Sequence, residues 1–238
     1  MKIKLLKTIG AMAITLPAMG ATLTSGHVDF PGIGYNAGDF EPHIHASAGA
    51  VIDGSPLLAD QEFEPDELII QVSNTMSRDA DASWASVGVG SGVSFWSLPE
   101  ASTPGQPFVG IGAEELDPSE WTGAITITLT SMVSPAGGTF SLWQTDAFGI
   151  PTFYMTTLGG ISATDVFSMD IDVEDHAHFG WGFTELGIYE LTLKFDGVHA
   201  VDGAKTTSAT YTFSVVPEPS TGMMGLLGAI FLLRRKRK

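Results

Sequence analysis

Apolar and polar residues alternate through most of the chain. The stretch AITITLT places Ile125, Ile127 and Leu129 on one face and threonines on the other. The stretches GIYELTLKF (187–195) and ATYTFSV (209–215) alternate in the same way. Because successive side chains of a strand point to opposite faces, this pattern predicts half-buried antiparallel strands.

Further strands are predicted at 67–72, 93–98, 139–143 and 166–173, with Gly- and Pro-rich connections between them. No segment shows a sustained helical period. The best helical candidate is one turn at DPSEW (117–121), with an aspartate cap and a proline in the first helical position. Eight to eleven short strands predict an all-β fold, an antiparallel β-sandwich of jelly-roll or immunoglobulin-like type. We expect one such domain over residues 22–216.

The first 21 residues have the pattern of a secretory signal peptide. Lys2, Lys4 and Lys7 precede an apolar run over 9–19, and small residues follow up to Ala21. A basic start, a short apolar run and a small-residue exit are typical of a segment that is removed on export. The apolar run is too short for an ordinary membrane span. The pattern predicts an exported protein.

The last 22 residues, 217–238, have a second targeting pattern. Pro217-Glu218-Pro219 is followed by an apolar stretch over 222–233 and by five basic residues, 234–238. The stretch would cross a bilayer only with thinning or tilt, and its basic end would stay cytoplasmic. This segment resembles the PEP-CTERM sorting signal. The resemblance implies transient membrane anchoring through a C-terminal hydrophobic helix, an exosortase-type enzyme as partner, and a location in the cell envelope, at the outer surface or in the extracellular matrix.

Composition restricts the partners and the chemistry. Between the two end segments only Arg78, Lys194 and Lys205 are basic, against 26 acidic residues, so this region carries a net charge of −23. Such a charge repels nucleic acid and attracts cations, although acidity also serves solubility alone. The chain has no cysteine. A metal site would therefore have to use His, Asp and Glu.

Histidine is rare and unevenly placed. Four of the six histidines form two His-X-His pairs, His43 with His45 and His176 with His178. Residues i and i+2 of a strand share a face, so each pair can present two imidazoles together. The stretch HVD places His27 and Asp29 in the same relation. The sixth histidine, in DGVHAVDG, is expected in a hairpin outside any site.

The residues before the second pair suggest a longer polar row. If the strand from 166 runs unbroken, Asp170, Asp172 and Glu174 share the face of the two histidines, and apolar residues form the other face. A turn near Glu174 would interrupt the row and leave the pair intact. In the unbroken case, carboxylates would be available to orient the imidazoles.

Two interpretations of the histidines stay open. Exposed His-X-His pairs can be ordinary polar positions on outward strand faces. Alternatively, imidazoles from separate strands form a metal site, for which zinc is the first expectation and Ni, Cu or Fe are possible. The predicted ligand set comprises His27, Asp29, His43, His45, His176 and His178, and all of its histidines are expected to converge on one shared ion.

Several stretches resemble a known family: SGHVDF, HIHA, PDELIIQV, GTFSLWQTDAFGIPTFYM and DHAHFGWGFTELGIYELTLKF. Together they are similar to the choice-of-anchor M domain of surface proteins, over about residues 26–216. The PEP-CTERM members of that family include a group under the zinc-uptake repressor. The resemblance implies expression under zinc limitation and zinc handling outside the cytoplasm. The family usually has asparagine before the tryptophan of the last stretch, where this chain has Gly180.

The sequence shows no enzyme motif, neither G-x-S-x-G nor H-E-x-x-H, and we expect no catalytic activity. A metal-binding module is the first interpretation. An extracellular matrix or adhesion protein is the second. A carbohydrate-binding sandwich, with extracellular polysaccharide as partner, is the third, because five tryptophans could supply stacking rings, although most are expected in the core.

Overall fold

The computed structural model describes residues 20–173 and 175–218, and these residues form an all-β protein. The strands are β1 (Ala21–Asn36), β2 (Asp39–Ala46), β3 (Val51–Ile52), β4 (Ser55–Pro56), β5 (Gln61–Phe63), β6 (Leu68–Val72), β7 (Thr75–Ser77), β8 (Ser94–Leu98), β9 (Pro107–Gly112), β10 (Ile125–Val133), β11 (Phe140–Thr145), β12 (Pro151–Thr156), β13 (Val166–Met169), β14 (His176–His178), β15 (Gly180–Phe183), β16 (Gly187–His199) and β17 (Gly203–Val215). Two short 3-10 helices span Ala82–Val87 and Pro118–Glu120. The all-β prediction is confirmed.

Most of both predicted end segments lies outside the described residues. Only the last two residues of the predicted signal peptide and the first two of the predicted sorting segment are described. Within the described part of the chain, no helix is long and apolar enough to cross a membrane.

The strands form two sheets. The smaller sheet has the order β12-β11-β15-β8-β7 and is antiparallel. The larger sheet has the order β13-β10-β16-β17-β6-β1-β2-β5, and β9 also pairs with β1 and carries β14 on its other side. In this sheet β1 runs parallel to both β6 and β9, and β6 runs parallel to β17.

The prediction of a wholly antiparallel fold is therefore wrong, because the larger sheet is mixed. Alternation records which face of a strand is buried, and it is the same for either direction of the neighbouring strand. The parallel partners of β1 are reached through long connections rather than hairpins, and alternation carries no signal for such pairs.

Side chains from both sheets share one apolar core. The predicted inward residues of β16 are buried, from Tyr189 to Phe195, and their neighbours Glu190, Thr192 and Lys194 are partly or fully exposed. Trp181 of the smaller sheet is 1% exposed and packs against Phe213 of the larger sheet, with ring centroids 5.3 Å apart. The half-buried alternation predicted for these strands is confirmed.

The predicted strand over 166–173 stops early. It ends at Met169, which pairs with Ile125, the first residue of β10. Beyond that point the partner strand has no further residue to pair with, and the chain turns, with the Val173 amide donating to the Asp170 carbonyl at 2.9 Å. Val173, expected in the core, is 82% exposed. The strand is not unbroken, so the prediction of a continuous row of carboxylates leading to His176 is wrong.

Two smaller predictions are confirmed. The single helical turn forms at Pro118–Glu120, and the Asp117 carboxylate caps it by accepting from the Ser119 amide at 2.9 Å. His199 closes the β16–β17 hairpin opposite Gly203, away from the other histidines.

Candidate metal centre

Three strands carry the predicted site residues, and a fourth strand, β9, lies between two of them in the order β14-β9-β1-β2. The strand β14 carries the second His-X-His pair, β1 carries the HVD residues, and β2 carries the first pair: His176, His178, His27, Asp29, His43 and His45. Asp29 and His178 both lie opposite Gly110 of β9, one on each side. The sheet thus brings residues that are far apart in sequence to one face.

Three imidazoles and one carboxylate meet beside β9. Nε2 of His176 lies 3.2 Å from Nε2 of His27 and 2.9 Å from Nε2 of His178. Oδ1 of Asp29 lies 3.2 Å from Nε2 of His176 and 3.7 Å from Nε2 of His27. In a tetrahedral zinc site with bonds of about 2.0–2.1 Å, ligand atoms are about 3.3–3.4 Å apart. The four measured separations bracket that spacing.

The ligand atoms fall into two overlapping groups. In each group the atoms lie within 4.8 Å of one another, and the groups are His27, His176, His178 and Asp29, Glu114, His176. His176 belongs to both groups and is the centre of the cluster.

Glycines of β9 make the room in which these side chains meet. A Cβ on Gly110 would lie 2.8 Å from Nε2 of His176 and 2.9 Å from Oδ1 of Asp29. A Cβ on Gly112 would lie 2.5 Å from a Glu114 carboxylate oxygen and 2.8 Å from the Asp29 carboxyl carbon. Any larger residue at either position would displace the cluster.

Two partners orient the imidazoles from outside the cluster. Nδ1 of His176 bonds to Oε1 of Glu114, and Nδ1 of His27 lies 2.8 Å from the Ser47 hydroxyl. A carboxylate only accepts, so Nδ1 of His176 carries a proton, and in the neutral form of the ring Nε2 presents its lone pair to the cluster. This carboxylate–histidine arrangement is the one that commonly orients metal-binding imidazoles.

The environment sets the protonation of the cluster. Burial, together with the nearby His176, lowers the pKa of His27 and lowers the pKa of His178 to about 4. Burial raises the pKa of Asp29 to about 6. The hydrogen bond to Glu114 raises the pKa of His176 in spite of burial. Burial also acts to raise the pKa of Glu114, but the hydrogen bond and the charge interaction with His176, together with a backbone hydrogen bond, outweigh it and the pKa is lowered. His27 and His178 are therefore held neutral, as metal binding requires.

Asp29 is the least solvated member. It is 2% exposed, and its Oδ1, which faces the imidazoles, has no hydrogen-bond donor. A buried carboxylate oxygen without a donor is costly, and a cation at this position would offset that cost. The donor set, three imidazole nitrogens and one carboxylate, fits zinc or a related divalent transition metal.

The first His-X-His pair is placed differently from the second. The two pairs are not on adjacent strands, because β9 and β1 lie between β14 and β2. Nδ1 of His45 is 3.8 Å from Oδ2 of Asp29, on the far side of that carboxylate from His176. Nε2 of His43 faces Glu115 at 3.2 Å. Among the described residues, the groups of three close ligand atoms include neither His43 nor His45.

Sequence reasoning missed Glu114, Glu115 and the glycines. The signal was present in GIGAEEL, where Gly110 and Gly112 are two positions apart and so share a strand face. A strand with glycine at alternate positions leaves one face free of side chains, and the two glutamates follow at its end. Alone, this pattern does not reveal which strands lie on either side.

The tryptophans do not form a binding platform. Four of the five are buried, Trp84, Trp121, Trp143 and Trp181, as expected for core residues. Trp96 is partly buried and packs against the main core. The stacking rings on which the carbohydrate-binding interpretation depends are therefore largely occupied by packing.

Comparisons of the chain with protein-family models, with curated proteins and with solved structures find no match. The two family resemblances seen in the sequence therefore stay predictions. The functional argument depends on the geometry of the cluster.

Proposed function

We propose that this protein binds one zinc ion, or a related divalent transition metal, through His27, Asp29, His176 and His178. One observation carries the proposal: three Nε2 atoms and a buried carboxylate oxygen are aimed into the same space beside Gly110. When these rings carry their proton on Nδ1, the Nε2 lone pairs face one another and the carboxylate, and a divalent cation turns this repulsion into attraction.

The proposed role is metal handling outside the cytoplasm. In this proposal the metal-binding domain is a β-sandwich, a signal peptide directs its export, and the C-terminal segment directs its sorting. The side chains of His27 and His176 are 30% and 21% exposed, so an ion could reach and leave the site from solvent. This access favours uptake and release over a purely structural ion. Four protein ligands would close the tetrahedral coordination, whereas catalytic zinc keeps one position open, so the proposal includes no enzymatic activity.

The export part of the proposal depends on the two end segments. Mass spectrometry of the protein from the cell envelope should find no peptide covering 234–238. An intact tail in the mature protein would contradict sorting with removal of the tail.

The metal proposal is tested by titrating the metal-free protein with zinc, in competition with a chromophoric chelator. Wild type should bind one ion tightly. The double variant His176→Ala/His178→Ala should lose this binding, because it removes two of four ligands. His199→Ala is the matched control, since that histidine lies in a hairpin away from the cluster. Equal tight binding by wild type and the double variant would refute the proposed site.

A further inference from the structure

We propose a second, separate metal site at His43 and Glu115, on the side of β1 that faces β2. The ring of His43 is almost fully buried, with 8% of the residue exposed, and its Nε2 lies 3.2 Å from Oε1 of Glu115. The Glu115 side chain is 46% exposed, so solvent reaches the carboxylate end of this contact. The proposal goes beyond the first site, because it uses neither its ligands nor its glycines.

The tautomer of His43 makes its contact with Glu115 informative. Nδ1 of His43 bonds to the Glu41 backbone carbonyl at 3.0 Å, and a carbonyl only accepts. Nδ1 therefore carries a proton, and Nε2 is the ring nitrogen that faces the Glu115 carboxylate oxygen. A separation of 3.2 Å suits two adjacent ligands of one ion, for which bonds of about 2.1 Å place the atoms about 3.0–3.4 Å apart.

The backbone leaves space at this contact, as it does at the first site. A Cβ on Gly32 would lie 2.6 Å from Nε2 of His43, and a Cβ on Gly34 would lie 2.9 Å from Oε2 of Glu115. Neither glycine has the left-handed conformation that would by itself favour glycine. The absence of side chains at these two glycines therefore leaves room for the contact between His43 and Glu115. The first site uses Gly110 and Gly112 in the same way.

A cavity of about 150 Å³ opens beside His43. Five glutamates line it: Glu41, Glu62, Glu64, Glu67 and Glu115. This volume holds an ion together with a few water ligands, at about 30 Å³ per water. One imidazole with carboxylates and water is a donor set for Zn²⁺ or Mn²⁺. This site offers one nitrogen ligand, whereas the first offers three, so it should bind Zn²⁺ more weakly than the first.

Zinc titration of the full chain by calorimetry tests the second site with three alanine variants. Wild type should bind two Zn²⁺ ions in a tight and a weak phase. Gly32→Ala should remove only the weak phase, and Gly110→Ala only the tight phase. Gly90→Ala is the control, because the nearest atom to its Cβ is a Val93 methyl at an ordinary 3.6 Å. A wild type without the weak phase, or a weak phase unchanged by Gly32→Ala, would overturn the second site.

A side-chain variant covers the case in which Gly32→Ala does not fold. Glu115→Gln keeps the size of a half-exposed residue and should weaken the second phase at least tenfold. Glu190→Gln, on an exposed position of β16, is its control and should change nothing. If His43 and Glu115 form only a protonated ion pair, Glu115→Gln will leave every zinc phase unchanged and the proposal fails. If the wild-type titration shows the weak phase and no tight phase, the first site is contradicted and the second stands.

Discussion

Replacing Gly110 by alanine should abolish metal binding at the first proposed site and spare the fold. The new Cβ would lie 2.8 Å from Nε2 of His176, about 0.7 Å inside the roughly 3.5 Å at which such atoms pack. The same Cβ would lie 2.9 Å from Oδ1 of Asp29 and 3.1 Å from Cε1 of His178. Metal–ligand distances tolerate only about 0.2 Å, so at least one ligand must leave the ion. All three clashes are with side chains of the cluster, which can move without breaking the sheet.

The expected magnitude follows from binding linkage. For wild type, free zinc at 100 times its dissociation constant should add about 2.7 kcal/mol to the free energy of unfolding. If the variant binds zinc 100-fold more weakly, the same zinc concentration adds about 0.4 kcal/mol. A domain of this size shifts its Tm by about 2–4 °C per kcal/mol. The zinc-induced rise in Tm should therefore fall from about 5–11 °C to about 1–2 °C.

The assay is thermal unfolding by circular dichroism, with and without zinc, for wild type, Gly110→Ala and the control Gly90→Ala. The metal-free variants should unfold within a few degrees of wild type. A zinc-induced rise in Tm that is equal in all three proteins would refute the placement of the ion beside Gly110. Failure of metal-free Gly110→Ala to fold would contradict the claim that its clashes are confined to the cluster.

Three further predictions concern single residues. Glu114→Gln should weaken zinc binding about 10–100-fold in chelator competition, because the carboxylate orients His176; a change under twofold would contradict that role. Asp29→Asn should raise the Tm of the metal-free protein at pH 7.5, since burial raises the pKa of Asp29 to about 6 and the folded state holds its charge at a cost. That gain should shrink as pH falls from 6 to 4, where Asp29 takes up its proton in the folded state, and a gain independent of pH would exclude this cause. Trp181→Ala should cost about 3–5 kcal/mol of unfolding free energy in denaturant titration, because it empties a core position and removes the indole donor to the Val109 carbonyl; a loss under 1 kcal/mol would contradict its place in the core.

The strand pattern and the local pairing of histidines were predictable because both are local properties. Alternation over 187–195 and 209–215 determines which side chains are buried, whatever strand lies beside them. The same rule places His176 and His178 on one face, and Asp29 on the face of His27. The chemistry of the candidate ligands was likewise readable, because a chain without cysteine has only His, Asp and Glu to offer a transition metal.

Only the tertiary structure decided which of these residues meet. The parallel pairing of β1 with β9 and the antiparallel pairing of β9 with β14 bring Asp29 and His178 to opposite sides of Gly110, and neither pairing follows from local alternation. The same register places Glu114 behind His176 and directs His43 to Glu115 instead of the other imidazoles. The strand at 166 likewise stopped where its partner β10 began, which broke the expected row of carboxylates. Strand direction, order and register depend on contacts between distant segments, and periodicity within one segment contains no information about them.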